Sequence, residues 1–174
     1  MTYQIDPKHS AARFKVRHMM IAHVGGEFNS VSGTVDFDPD KPEQSRIDAS
    51  IDVNSLHTGD PQRDGHIKGA DFFDAAKFPA ITFRSSKVSG SGGAYKVTGD
   101  LTLHGVTKEV ALNVGSVSPE MTDPWSGKRR GLSANTTINR KDFGMGWNAD
   151  VDGGVMLSEN IEIVLDLEMT RAAS

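Results

Sequence analysis

The chain has no cysteine among its 174 residues, which excludes disulfides, zinc thiolates and thiol catalysis without naming a compartment. Aromatic residues are sparse at 7%, and both tryptophans, Trp125 and Trp147, fall between Pro124 and Asn148. No stretch approaches the roughly 20 apolar residues that a membrane-crossing helix needs, so no integral membrane segment is expected. Basic charge is short too. Nineteen Lys and Arg against 23 Asp and Glu leave a net charge of −4, and the longest basic run is Lys128-Arg129-Arg130. That balance argues against a nucleic-acid partner, because neutralising phosphates needs a basic surface. There is no Gly-x-Ser-x-Gly elbow and no Gly-Lys-Ser/Thr phosphate loop. There is also no internal repeat and no interdomain linker, so the expectation is one domain over residues 1–174 with one buried core.

What is present is alternation. Ala12, Phe14, Val16 and His18 alternate with Ala11, Arg13, Lys15 and Arg17, which puts the first set inside and the basic set in water. Val31, Gly33, Val35 and Phe37 repeat the pattern, as do Ile47, Ala49, Ile51 and Val53. Ile81 and Phe83 open a further strand after Pro79. Ser89-Gly90-Ser91-Gly92-Gly93 reads as the turn joining it to a strand from Tyr95 to Leu103. Val106, Val110, Leu112 and Val114 follow, with Lys108 breaking the parity, and then Leu132, Ala134, Thr136 and Ile138. The last strand is the clearest: Ile161, Ile163, Leu165, Leu167 and Met169 against Glu162, Asp166 and Glu168. At about 3.4 Å per residue it spans roughly 31 Å.

One helix interrupts the strands, predicted over Pro61 to Lys68. Asp60 caps it, Pro61 fits its first position and Gly69 its stop. A short turn over Asp71 to Ala76 must end before Pro79. Long alternating strands joined by turns describe an all-β antiparallel meander that closes on itself. Around eight strands can close around one small ligand, and small inward residues (Ala12, Gly33, Ala49, Ala134) leave room for a tunnel. A two-sheet sandwich with a filled core carries the same alternation, so periodicity leaves both open.

Five short motifs occur in order: Asp6-Pro7-Lys8-His9-Ser10, Arg63-Asp64-Gly65-His66, Asp71-Phe72-Phe73-Asp74, Gly99-Asp100-Leu101-Thr102-Leu103-His104-Gly105 and Lys141-Asp142-Phe143-Gly144. Together they resemble the YceI-like family, lipocalin-like β-barrels that bind long lipids, from about Tyr3 to Thr170. The resemblance implies an extended antiparallel eight-stranded lipocalin-like barrel with a short helix at about 61–68. It also implies a polyisoprenoid, isoprenoid quinone or fatty-acyl ligand held for transport, storage or sequestration, and a homodimer. Met1-Thr2 runs into Tyr3-Gln4-Ile5 with no basic segment and apolar stretch, so the cytoplasm is the expected compartment. A removed signal would place the chain in the periplasm, where many members of the resembled family work.

Each candidate group has two readings. His9, His18, His23, His57, His66 and His104 lack the His-x-His and His-Glu-x-x-His spacings of metal sites, so no metal and no cofactor is expected. His18 has inward parity and either bonds a ligand head group or is a core histidine satisfied by a carbonyl. Arg63 and His66 either hold a head group at the barrel mouth, or Arg63 and Asp64 tie the helix to the rim by ion pairs. Phe72-Phe73 reads as a plug with one ring inward. Arg140 to Trp147 reads as a mobile flap or a bulged edge. Asp142, Asp150 and Asp152 do not match a calcium loop. The reading that follows is a lipid-binding barrel with no enzymatic activity. Its wall is expected at Phe14, Val16, Val35, Phe37, Ile51 and Phe83, continuing through Leu101, Leu103, Leu112 and Leu165, with the polar end near His18, Arg63 or His66. The rival classes are an enzyme acting on a lipid through His18 as acid or base, and a stress-related barrel without ligand.

Overall fold

The period-two segments form strands, except that Phe37 falls just past its strand and Val53 opens a 3₁₀ turn. The computed structural model describes residues 1–152 and 154–171. In chain order the elements are β1 (Thr2–Ile5), β2 (Ala11–His18), β3 (Ala22–Phe28), β4 (Val31–Asp36), β5 (Arg46–Asp52), β6 (Leu56–His57), α1 (Pro61–Lys68), β7 (Ala80–Ser91), β8 (Ala94–Leu103), β9 (Val106–Val117), β10 (Met121–Thr122), β11 (Lys128–Asn139), β12 (Asp150–Val151), β13 (Gly154–Val155) and β14 (Leu157–Arg171). The ring β11-β9-β8-β7-β5-β4-β1-β14 closes through the β11–β14 pairing into an eight-stranded antiparallel barrel. The helix occupies the predicted residues. Asp60 Oδ1 accepts from the Gln62 and Arg63 amides, and Pro61 takes the first turn, where a missing N–H costs nothing.

Three staves of the barrel are each broken in two. β2 continues β1 along β14, with Ile5 opposite Met169 and Ala11 opposite Asp166. β3 continues β4, and β6 continues β5 beyond a 3₁₀ turn at Val53–Ser55. At the first break the ladder is patched by Ser10, whose buried hydroxyl donates to the Glu168 carbonyl and accepts from the Glu168 amide, at 3.2 and 3.0 Å. This keeps the Glu168 backbone satisfied where residues 6–10 loop away.

Two expectations are corrected here. The β7–β8 turn is only Gly92-Gly93, both left-handed, because Ser89, Gly90 and Ser91 stay paired with Lys96, Tyr95 and Ala94. Gly33 does not open tunnel space. Its φ is +141°, and a Cβ there would lie 2.7 Å from the Ala49 Cα and closer still to the Asp48 carbonyl oxygen. Its missing side chain lets β4 and β5 approach. The strand β3 has no counterpart in the sequence reading. Gly25-Gly26 dilutes its alternation, and a Cβ on Gly26 would run into the tip of the Phe14 ring, which would have to shift.

Most of the buried side chains, Tyr3, Phe28, Val53, Phe72, Phe73, Phe143 and Met169 among them, pack in one cluster. A smaller cluster of Phe83, Val88, Val97, Val114 and Ala134 fills the wall where β7, β8, β9 and β11 meet. Among the described residues no helix is long and apolar enough to cross a membrane.

Candidate functional site

Inside the barrel the inward set does not meet across the axis. It surrounds a cavity of about 340 Å³, within the range of small-molecule sites. Phe14, Val16 and His18 reach it from β2, Val35 from β4 and Phe37 just beyond β4. Ile51, Phe83, Leu101, Leu103, Leu112 and Leu165 complete the apolar wall, and Arg63 and His66 reach it from α1. Every residue proposed from sequence as wall or polar end therefore lies on this cavity.

The rim near α1 is built by side chains that the sequence did place there, with different contacts. Arg63 and Asp64 tie the helix down by hydrogen bonds to Thr58, not by ion pairs. Arg63 Nε and Nη2 donate to the Thr58 hydroxyl and carbonyl, both at 2.9 Å, and Asp64 Oδ1 accepts from the Thr58 amide at 2.8 Å. Both rings of Phe72-Phe73 are buried, not one. Phe73 meets Phe28 edge-on at 5.4 Å between centroids, and Phe72 meets Trp147 at 5.3 Å. His66 stands edge-on to both Phe72 and Trp147 at 5.1 Å, with Nε2 2.9 Å from Asp71. Four rings and a histidine–carboxylate pair thus pack together beside α1.

The segment after β11 does not begin as a bulged edge. It is a 3₁₀ turn, Arg140–Phe143, stopped by left-handed Gly144. His104 Nδ1 lies 2.9 Å from the Phe143 carbonyl and ties the turn to the β8–β9 connection. Its first residue, Arg140, is 2% exposed and lines the cavity. Nε donates to the Ser158 carbonyl at 2.9 Å, and Nη1 to the Met145 and Trp147 carbonyls, each at 2.7 Å. Burial pulls its pKa down from the ordinary guanidinium value, opposed by the charge of Glu159. The sequence reading passed over this residue as a site candidate, although it continues the inward series Leu132, Ala134, Thr136, Ile138 by one more step of two.

The opposite rim is closed by a polar knot outside the cavity. Tyr3 is fully buried; its hydroxyl donates to Glu120 and accepts from Arg130 Nε at 2.9 Å. Arg171 adds a forked pair to Glu120 at 2.9 and 3.0 Å. Those bonds, Arg171 first and Tyr3 second, hold the Glu120 carboxyl down to about 2.

Asp6, His9 and Glu168 come close enough together to offer ligand atoms to a cation. They lie outside the cavity, and Arg129 Nη1 already donates to both carboxylates. His57 faces Glu27, while His18 makes no side-chain hydrogen bond among the described residues.

The chain matches the YceI-like domain over residues 3–169. A UPF0312 protein of Yersinia pestis (strain Pestoides F) is 37% identical over 168 residues, covering 95% of this chain and 84% of that protein. Among solved structures, Burkholderia cenocepacia BcnA superimposes with a TM-score of 0.82 at 27% identity, covering 94% of this chain and 98% of BcnA. A polyisoprenoid binding domain from Saccharophagus degradans has a TM-score of 0.68 at 19% identity, over 96% and 97% of the two chains, a likeness of fold.

Proposed function

This chain belongs to the YceI-like family, and on that premise we propose that its barrel binds a long-chain apolar lipid, of polyisoprenoid, isoprenoid quinone or fatty-acyl type. The observation that carries the reading is the cavity walled by apolar side chains from all around the barrel. Such a wall offers area to an apolar chain. Each CH₂ taken from water into it is worth about 0.8 kcal/mol. Sixteen methylenes therefore supply on the order of 12 kcal/mol, and an association cost of about 4 kcal/mol leaves about 8 kcal/mol, micromolar-scale binding. The proposed contacts are the wall residues above, with the polar end at the α1 rim. The Saccharophagus neighbour, a polyisoprenoid binding domain, agrees with a ligand of this kind. Transport, storage or sequestration is the role proposed for the bound lipid, and a homodimer the proposed assembly.

The binding reading is tested by organic extraction of protein purified from cells, followed by mass spectrometry. A long-chain lipid in near-stoichiometric amount is the expected result. An empty extract, with no uptake of added hexadecan-1-ol or geranylgeraniol, overturns the reading.

A further inference from the structure

A tight hairpin turn with positive φ at both central residues normally carries Asn-Gly or Asp-Gly. The turn between β2 and β3 carries Met19-Met20 instead, at φ +50° and +61°. Ile21 closes it, its amide donating to the His18 carbonyl at 3.2 Å. The three side chains are 43%, 51% and 82% exposed. Backbone strain is thus spent on holding large apolar groups in water at a tip, a pattern that marks function rather than packing. The hairpin β12–β13 stands beside them. Met19 donates its amide to the Met156 carbonyl at 2.6 Å, and Met20 lies across Gly154, where a Cβ would run into its sulfur. Val155, 38% exposed, extends the patch.

The patch adjoins the cavity without belonging to it. His18, just before the tip, and Met156 and Leu157, just after β13, line the cavity, while Met19, Met20 and Ile21 do not. On the outer face of β2, Arg13 and Lys15 pair with acids, but Arg17, nearest the tip, forms no ion pair among the described residues. Asp150 and Asp152 on the neighbouring hairpin offset that charge, so nothing favours an anionic surface over a neutral one. Area decides the occupant. A fully exposed side chain of this size offers about 100 Å², so four offer less than roughly 400 Å², half of the ~800 Å² that each partner of a stable protein complex buries. A bilayer sets no such threshold, since every apolar side chain that enters it leaves water. We propose that Met19, Met20, Ile21 and Val155 are a membrane-docking tip, which enters the surface of a phospholipid bilayer and brings this end of the cavity against the lipid it takes up or gives back. Docking of this kind rests on the lipid-binding reading and adds to it the place where lipid enters.

The test is flotation of the purified chain with vesicles of dioleoylphosphatidylcholine, at low and at high salt. The wild type is expected to float with the vesicles, equally at both. The triple variant Met19→Asn, Met20→Gly, Ile21→Ser removes the apolar tip and supplies the residue pair the turn prefers, so the hairpin is not weakened. Its partition into vesicles is expected to fall about ten-fold or more, with uptake of hexadecan-1-ol from solution at the wild-type level. Trp125→Ser is the control. Trp125 is 83% exposed, but it lies between β10 and β11, where Arg129 pairs with Thr170 at the far end of β14, and this variant floats as the wild type does. A wild type that does not float overturns the proposal, and intact uptake of hexadecan-1-ol then leaves the lipid reading standing. Equal flotation of wild type and triple variant overturns it, as does flotation lost in Trp125→Ser. A wild-type dimer by light scattering that becomes a monomer in the triple variant, with no flotation of either, assigns the patch to a second copy and overturns it too. Flotation that depends on the tip, in a protein with no extractable lipid and no uptake, keeps the docking and removes the lipid reading.

Discussion

Gly33→Ala tests the closure of the barrel at a single atom. Gly33 has φ +141°, a conformation that L residues rarely adopt, and holding a side-chain residue there costs about 1–3 kcal/mol. The added Cβ also meets main chain, the Ala49 Cα at 2.7 Å and the Asp48 carbonyl oxygen nearer still. Backbone cannot rotate away as a side chain can, so β4 and β5 must separate and strain the register Thr34–Asp48 and Val35–Ile47. The expected loss is at least about 3 kcal/mol, combining the two effects. For a chain of this size that lowers Tm by roughly 6–12 °C. Gly131→Ala is the matched control. It lies inside β11 with its nearest neighbour, the Leu167 carbonyl oxygen, 3.9 Å from the new Cβ and no left-handed φ. Replacing a strand glycine that needs no special backbone raises stability by about 0.4–1 kcal/mol. Thermal melts followed by circular dichroism, on lipid-free protein, read both. A Gly33→Ala protein that melts with the wild type would refute the argument that β4 and β5 close only over a bare Cα.

Two further outcomes follow from the register and from the rim. Leu165→Asp places a carboxylate on the cavity wall between Ala12 and Ala134 and is expected to lower stability by about 3–5 kcal/mol and abolish uptake of hexadecan-1-ol. Glu162→Ala, one face over and paired with exposed Lys15, should change stability by less than about 1 kcal/mol, and the reverse ranking in melts would show β14 turned inside out. For Glu120, whose folded pKa of about 2 lies below its ordinary 4.5, the carboxylate stabilises the fold above pH 4.5 and that contribution fades as the pH falls towards 2. Denaturation midpoints measured across that window should fall more steeply for wild type than for Glu120→Gln, and parallel curves would contradict the depressed pKa.

The parts of this fold that were legible in the sequence are those where one residue pattern meets one structural demand. The alternation of Ile161 to Met169 could fit only a strand with one wet face, and Asp60-Pro61 with Gly69 could fit only a short capped helix. β3 was hidden because Gly25-Gly26 dilutes its alternation, and the Phe14 ring that Gly26 accommodates belongs to another strand. The breaks at residues 6–10 and 53–55 were hidden because their backbone groups are satisfied by Ser10 and by a 3₁₀ turn, which local propensity does not announce. On the cavity, parity found the wall. Parity also pointed at Arg140, but a charged residue at an inward position reads as the end of a strand, and only its three carbonyl partners show why it stays inside.

β14 is the seam of the molecule: β11 pairs along one of its edges, and β2 and then β1 along the other. A ribosome delivers the chain from its amino end, so every other stave is made before the one that joins them. Until β14 emerges, β11 on one side and β1 and β2 on the other present unpaired main chain, the kind of edge that recruits foreign strands. Partners such as Arg13 and Asp166, 153 residues apart, meet only at that last step. Long-range closure of this sort is slow. The nascent sheet therefore has a waiting period in which a holding chaperone would bind it, and folding yield should depend on how quickly translation proceeds through β14.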